Sequence, residues 1–413
     1  MRTRLLLGIL CIALLAVATP AWAASGDPDT SFSGDGVFTF GLAINEESGV
    51  GAVVDPSGRL LVGDSLYSSS FAVARILPGG TLDATFNGGI TQFPGPTGRP
   101  TNAVAAQPDG KVLAASENAN ADLFLVRYRA NGNPDTTFSG DGISHVGMPS
   151  TSTTITNILM RSDGSILVTG WVESASNVDR LYVLGFKPNG ALDPHFSGDG
   201  QFFLQVGDDT VVRDAMLDSR GRITLVSRTQ SNGHLFQAAV TRLLPAGRPD
   251  PAFSGDGTAR FNLAAGDDDP HAIARRVGSS VLIAEQAFDA GGTSANGRLF
   301  AVTGGGKLDT SYSGNGSATF DLAPFDNPWD LRIDGTGRAY LATTVVVSAT
   351  NEASIVRTKP NGALDTSFSG DGVASVPQAS NAGALTLWGG KPTVVGYADL
   401  TTDFDALVAR FLS

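Results

Sequence analysis

Asp267-Asp268-Asp269, with His271 two positions on, is the densest group of ligating side chains in the sequence. Carboxylates beside an imidazole suit a divalent cation, calcium above all, provided that other loops complete the shell. A second carboxylate pattern is spread along the chain. PDTSFSGDG at 28–36 returns as LDATFNGG, PDTTFSGDG, LDPHFSGDG, PDPAFSGDG, LDTSYSGNG and LDTSFSGDG. Acidic residues near glycines are the material of calcium loops, but this spacing is not that of an EF-hand. A short carboxylate also accepts N–H groups two or three residues on, which fixes a turn. The second acidic position reads Asp35, Asp141, Asp199, Asp256, Asn315 and Asp371, and the copy at 82–89 is a residue shorter there. Asn keeps the turn and loses the charge, so a turn is the expected role and calcium the alternative.

Other chemistry is sparse. His145, His195, His234 and His271 lack the close helical spacing of zinc sites. There is no G-x-S-x-G elbow, P-loop or Rossmann fingerprint, and SGDG does not lead into a helix as a phosphate cradle would. Trp171, Trp329 and Trp388 have faces that can stack on sugars, and equally pack between sheets. No catalytic residue and no cofactor are assigned from the sequence; Asp267, Asp268, Asp269 and His271 stand as the metal candidates.

The elements that position these residues follow from the repeat. The motif aromatic falls at Phe32, Phe86, Phe138, Phe196, Phe253, Tyr312 and Phe368, at intervals of 52 to 59 residues. The aspartate three residues earlier is present each time, as Asp29, Asp83, Asp135, Asp193, Asp250, Asp309 and Asp365. After each motif come a short strand, a polar loop, and two strands joined at a tight turn such as QPDGK (107–111). A last strand such as FLVRYR (124–129) then runs into the next motif. That strand is apolar on both faces, which requires a neighbouring sheet on each side. Four-stranded antiparallel sheets stacked around an axis meet the demand. The expected fold is all-β, a single seven-bladed β-propeller of residues 24–413.

An arginine stands eight residues before the motif aspartate at Arg75, Arg127, Arg242 and Arg357, while Gly185 and Ala301 occupy that place elsewhere. Arg410 begins the same spacing three residues before Ser413, and Ser25 to Asp29 continue it. The N-terminal strand is therefore expected to complete the last blade and remove its open edge. The aspartate is expected to hold its turn and the aromatic to wedge between blades.

Residues 1–23 read as a signal peptide: Arg2 and Arg4, the apolar run Leu5 to Val17, then Ala21-Trp22-Ala23. Cys11, the one cysteine, leaves with it, so no disulfide is expected. The chain has 28 basic and 40 acidic residues; without Arg2 and Arg4 the balance is 26 against 40, a net charge of −14. That excludes the basic patches of nucleic-acid and anionic-membrane binders. An exported, monomeric protein of the periplasm or outside, without membrane insertion, is expected. Glu46, Glu47, Asp64, Glu117, Glu173, Asp208, Asp209, Asp267 to Asp269 and Asp326 are expected on one solvated acidic face.

The motifs and the Pro108–Lys111 type of hairpin resemble the delta-60 repeat family of bacterial exported proteins, over essentially all of 26–413. The resemblance implies a β-propeller with a secretion signal and implies no activity or catalytic residue. The leading functional expectation is a non-enzymatic binding scaffold presenting loops to a protein or glycan partner. The alternatives are a polysaccharide-acting hydrolase or lyase in the channel, with or without calcium, which a cluster of carboxylates, His and Arg at the channel mouth would favour, and a structural or adhesion module.

Overall fold

The computed structural model describes residues 23–44, 51–66, 70–92, 103–118, 120–174, 176, 178–231, 233–276, 278–347, 350–376, 379–399 and 404–413. All of the expected leader except Ala23 lies outside these residues, as do Glu46 and Glu47. The structure is all-β; the one helical element described is the three-residue 3-10 turn Asn87–Gly89.

One unit recurs along the chain. Ser152–Met160, Ile166–Glu173, Asp179–Phe186 and Gln201–Leu204 pair in sequence as an antiparallel meander. Asp209–Leu217, Ile223–Gln230, Gln237–Leu243 and Thr258–Phe261 repeat it, as do Val104–Ala106, Val112–Glu117, Leu123–Tyr128 and Ile143–Val146. The units starting at Gly51, Asp268 and Phe325 follow the same order, the latter two joined by one parallel bridge between Ala295 and Phe325. Third strands are buried along their length: Leu123–Tyr128 shows no exposed residue, because each of its faces meets another sheet.

The chain ends meet in one sheet. Val37–Ile44 lies antiparallel to Phe404–Arg410, with Val37 opposite Ala409 and Phe40 opposite Ala406. Asp29 N–H donates to the Arg410 carbonyl at 2.8 Å, and Arg410 Nε donates to Asp29 Oδ2 at 2.7 Å.

The motif holds the sheets together by one recurring set of bonds. Its aspartate accepts the N–H two residues on: Thr85 to Asp83 at 3.0 Å, Ala252 to Asp250 at 3.0 Å. The next serine has a left-handed backbone, φ 54° at Ser139 and 55° at Ser254. That conformation aims its N–H at the neighbouring sheet, where Ser139 meets the Asn189 carbonyl at 2.8 Å. The second carboxylate accepts from the backbone two residues on, Asp141 from Ile143 at 2.9 Å, and Asn315 does the same for Ser317 at 3.0 Å.

The arginine eight residues upstream binds the aspartate, covers the aromatic and reaches the next sheet. Arg127 lies 2.9 Å from Asp135, 4.6 Å over Phe138, and donates to the Pro188 carbonyl at 2.6 Å. Where Gly185 and Ala301 replace it, the first-to-second hairpin supplies the cation. Arg161 sits 5.6 Å over Phe196 and Arg276 sits 4.9 Å over Tyr312, 3.2 Å from Asp309. Phe196 explains the glycine, since a Cβ on Gly185 would meet its Cβ at 2.7 Å. All seven motif aromatics are buried.

The acidic-face expectation is corrected here. Glu117, Asp268, Asp269 and Asp326 are buried. Asp268 accepts the N–H groups of Leu263 and Ala264 at 2.9 and 2.8 Å, and Asp326 that of Leu322 at 2.8 Å. These carboxylates cap the crossing from the last strand of one sheet to the first strand of the next, where backbone donors would otherwise be unpaired.

Candidate functional site

First strands carry a local irregularity. Register slips by one residue between Ile155 and Asn157, Val212 and Asp214, Pro270 and Ala272, and Pro328 and Asp330. A bulge re-aims the extra residue and leaves its neighbour unpaired in the ladder. The extra residues are Thr156, Arg213, His271 and Trp329, and all four line one cavity of about 660 Å³. The cavity also takes residues from the strands starting at Gly51, Val104 and Ala379, so the first strands of successive sheets surround it. Those strands touch in order, and Ala379–Trp388 touches Gly51–Val54.

Two aspartates follow the bulges and face this cavity. Asp214 accepts Asn157 Nδ2 at 2.8 Å, its neighbour Ala215 N–H at 2.8 Å and, from the next sheet, Ile273 N–H at 2.9 Å. Asp330 accepts Leu331 N–H at 2.7 Å, Leu385 N–H of the next sheet at 2.8 Å, and the Arg332 guanidinium. Burial and then the charge of Asp330 push the Asp214 carboxyl up to about 6, against the pull of the Ile273 N–H. Burial raises Asp330 as well, while Arg332 opposes it. Burial and a like-charged neighbour therefore act together to disfavour ionisation of Asp214.

Around them the wall is cationic and aromatic. Arg213 holds Asp269 through two nitrogens, at 2.8 and 3.2 Å. The His271 ring meets the Trp329 ring edge-on at 4.9 Å. Its Nε2 is buried without a hydrogen bond, and burial depresses its pKa to about 4, so the imidazole is neutral. Trp329 is 38% exposed, with Nε1 tied to Thr344 Oγ1 at 3.1 Å. Its indole face is a fixed apolar surface in a polar cavity.

Asp267, Asp268, Asp269 and His271 do not converge. Asp267 accepts the Phe236 N–H at 2.9 Å, Asp268 faces Arg298 at 3.2 Å, and Asp269 faces Arg213. His271 Nε2 lies 3.8 Å from Asp269 Oδ2, the one close approach within the group. Alternation along Asp268–Arg275 sends successive side chains to opposite faces. Among the described residues no three His, Cys, Asp or Glu gather as ligands for a metal ion.

Sequence reasoning passed over Asp214, Asp330, Arg213 and Arg332. One signal was available: Thr156, Arg213, His271 and Trp329 recur at 57- and 58-residue steps, at a variable position inside a repeating strand.

A family profile described as "Domain of unknown function (DUF5122) beta-propeller" matches residues 56–86, 107–138, 161–196 and 337–368. The repeated segments are those of a β-propeller repeat family. No curated protein is similar to the chain in sequence. Among solved structures, a polysaccharide lyase of family PL25, an ulvan lyase bound to -[GlcA(1-4)Rha3S]-, shares 10% identity at a TM-score of 0.44, over 74% of this chain and 79% of that one. The α-L-arabinofuranosidase Arb93A of Fusarium graminearum, complexed with an iminosugar inhibitor, shares 11% at a TM-score of 0.46, over 83% and 98%. A glucose dehydrogenase shares 9% at a TM-score of 0.46, over 74% and 95%. These likenesses concern the fold and transfer no residue or substrate.

The expectation of a non-enzymatic scaffold is corrected. The cavity gathers the carboxylates, histidine and arginines that were expected of the enzymatic alternative.

Among the described residues no helix is long and apolar enough to cross a membrane.

Proposed function

We propose that this chain is an exported enzyme that cleaves a polysaccharide in the central cavity of a closed seven-bladed propeller of the delta-60 type. The observation that carries the reading is the placing of Asp214 and Asp330 on the wall of one cavity, on two sheets separated by the sheet that starts at Asp268, each carboxyl raised by burial. Asp214, protonated below about 6, is assigned as the general acid, and Asp330, beside Arg332, as the second carboxyl of the site. Trp329 offers a sugar ring its exposed indole face. Pairing of Val37–Ile44 with Phe404–Arg410 and the cyclic contact of first strands support ring closure within residues 24–413. We further assign the protein to the periplasm or the exterior as a monomer, its partner being the glycan substrate.

The test is turnover of neutral and acidic polysaccharides between pH 4 and 8, with two readouts. New reducing ends without chromophore mean hydrolysis, and an ultraviolet-absorbing unsaturated product means a lyase. Asp214→Asn and Asp330→Asn are expected to lose about 100-fold or more in kcat with melting retained. Folded variants that keep turnover, or a wild type that cuts no polysaccharide, overturn the reading.

A further inference from the structure

Towards the hairpin ends of the first strands, a second cavity of about 270 Å³ lies between two neighbouring sheets, with Met216 on the wall it shares with the first. It is formed where the hairpin after Asp209–Leu217 faces the hairpin after Asp268–Arg275. Its lining includes one carboxylate, Asp218, and four arginines, Arg220, Arg222, Arg242 and Arg275, together with Ser279 and Thr303.

The charges do not balance. Arg222 is paired with Asp218 at 2.6 Å and Arg242 with Asp250 at 2.8 Å. Arg220 and Arg275 have no carboxylate partner among the described residues, and both are exposed. Two unpaired guanidinium groups therefore share one recess with hydroxyl donors, in a chain whose net charge is −12. The crowding reaches Arg242, whose pKa is lowered by burial and then by the charge of Arg222.

Sequence sets one wall of the recess. In the sheets carrying Gly164, Gly221 and Gly337, a Cβ on the hairpin glycine would meet Pro188, Pro245 or Pro360 at 3.5 to 3.6 Å. Here the proline position is Gly304, and Ser279 packs where a Cβ on Gly304 would stand, which brings the Ser279 hydroxyl to the recess.

We propose that this recess binds a tetrahedral oxyanion, phosphate or sulfate, free or as the monoester of a small molecule. Arg220 and Arg275 supply the planar forks that match such an anion, and Ser279 and Thr303 supply hydroxyl donors. Water occupies about 30 Å³ in the liquid, so the space exceeds one anion and admits a small substituent. The inference is independent of the cavity that holds Asp214 and Asp330.

Thermal melting and calorimetric titration of residues 24–413 test it, with sodium phosphate, sodium sulfate and glucose 6-phosphate set against sodium chloride at equal ionic strength. A saturable stabilisation is expected, reduced at least tenfold in apparent affinity in the double variant Arg220→Ala/Arg275→Ala. Arg248→Ala, an exposed arginine outside the recess, is expected to respond as the wild type. Tighter binding of glucose 6-phosphate than of inorganic phosphate means a monoester site, and the reverse means a free-anion site. No saturable effect beyond chloride, or an unchanged response in the double variant, overturns the proposal.

Discussion

Replacing Arg410 with alanine tests the join between the two chain ends. The side chain is 9% exposed and makes an ion pair, hydrogen bonds and two cation–π contacts. Nε meets Asp29 at 2.7 Å, Nη1 donates to the Pro78 carbonyl at 2.9 Å, and the guanidinium lies 4.7 Å over Phe32 and 5.4 Å over Trp388. Removing one partner of a buried pair costs about 3–5 kcal/mol when the other charge is left alone. Asp29 is not left alone, because Lys391 Nζ remains at 2.7 Å. That offsets about 1 kcal/mol, since the lysine is a third exposed. The cation–π contacts add back about 1 kcal/mol. The two corrections cancel, and the expected cost stays at about 3–5 kcal/mol. Arg242→Ala is the internal reference, because Arg242 makes the same contacts with Asp250, Phe253 and the Gly304 carbonyl between covalently continuous sheets. Urea unfolding at pH 7 with a common m-value measures both. If the ends are joined as the interior sheets are, the two variants lose similar stability. An Arg410→Ala cost below about 1 kcal/mol beside a normal Arg242→Ala cost refutes the join as a structural seam.

Two further predictions follow from the buried groups. Asp179, Asp214 and Asp326 each have a carboxyl raised to about 6, by burial first and by a neighbouring aspartate as well, Asp209, Asp330 and Asp321 respectively. The folded state binds protons that the unfolded chain releases above 3.8, so stability falls as pH rises from about 4 through 6. His271, depressed to about 4, opposes this over part of the same range and offsets one of the three. In Asp29, hydrogen bonds from Lys391 and Ser31 and the charge of Arg410 overcome burial and bring the carboxyl to about 2, so its stabilisation is present above 3.8 and lost as pH falls toward 2. Melting temperature is expected to peak near pH 4 to 5; a maximum at pH 7 or above contradicts these assignments. Second, Gly185→Ala forces its methyl against Phe196 and is expected to cost about 1–3 kcal/mol in urea unfolding. A neutral result means that the Phe196 ring can move and is no fixed wedge.

Much of the architecture was legible without coordinates because it is local and periodic. A backbone turn closed by Asp135, a left-handed Ser139 and a buried Phe138 need only nine residues to be specified, and repetition multiplies the signal. Pairing of Arg127 with Asp135 was readable from an eight-residue spacing, since adjacent antiparallel strands convert spacing into contact. Where that spacing failed, at Gly185, sequence alone did not show that Arg161 takes over, because the replacement comes from a different hairpin of the same sheet.

The candidate site was hidden for a physical reason. Asp214 and Asp330 are 116 positions apart and become neighbours in charge only when the first strands surround one cavity. Bulges decide which side chains enter it, and a one-residue slip leaves almost no mark in composition or hydrophobic pattern. The acidic loops misled in the opposite sense. Asp268 and Asp326 look solvated in a list of charges, yet tertiary structure buries them on unpaired backbone N–H groups. The sequence by itself determined the repeat, its turns and the pairing of strands within each unit, all set by contacts between near neighbours. Only the tertiary structure decided which carboxylates lose their water and which share a cavity, because desolvation and charge coupling depend on what distant segments bring to the same place.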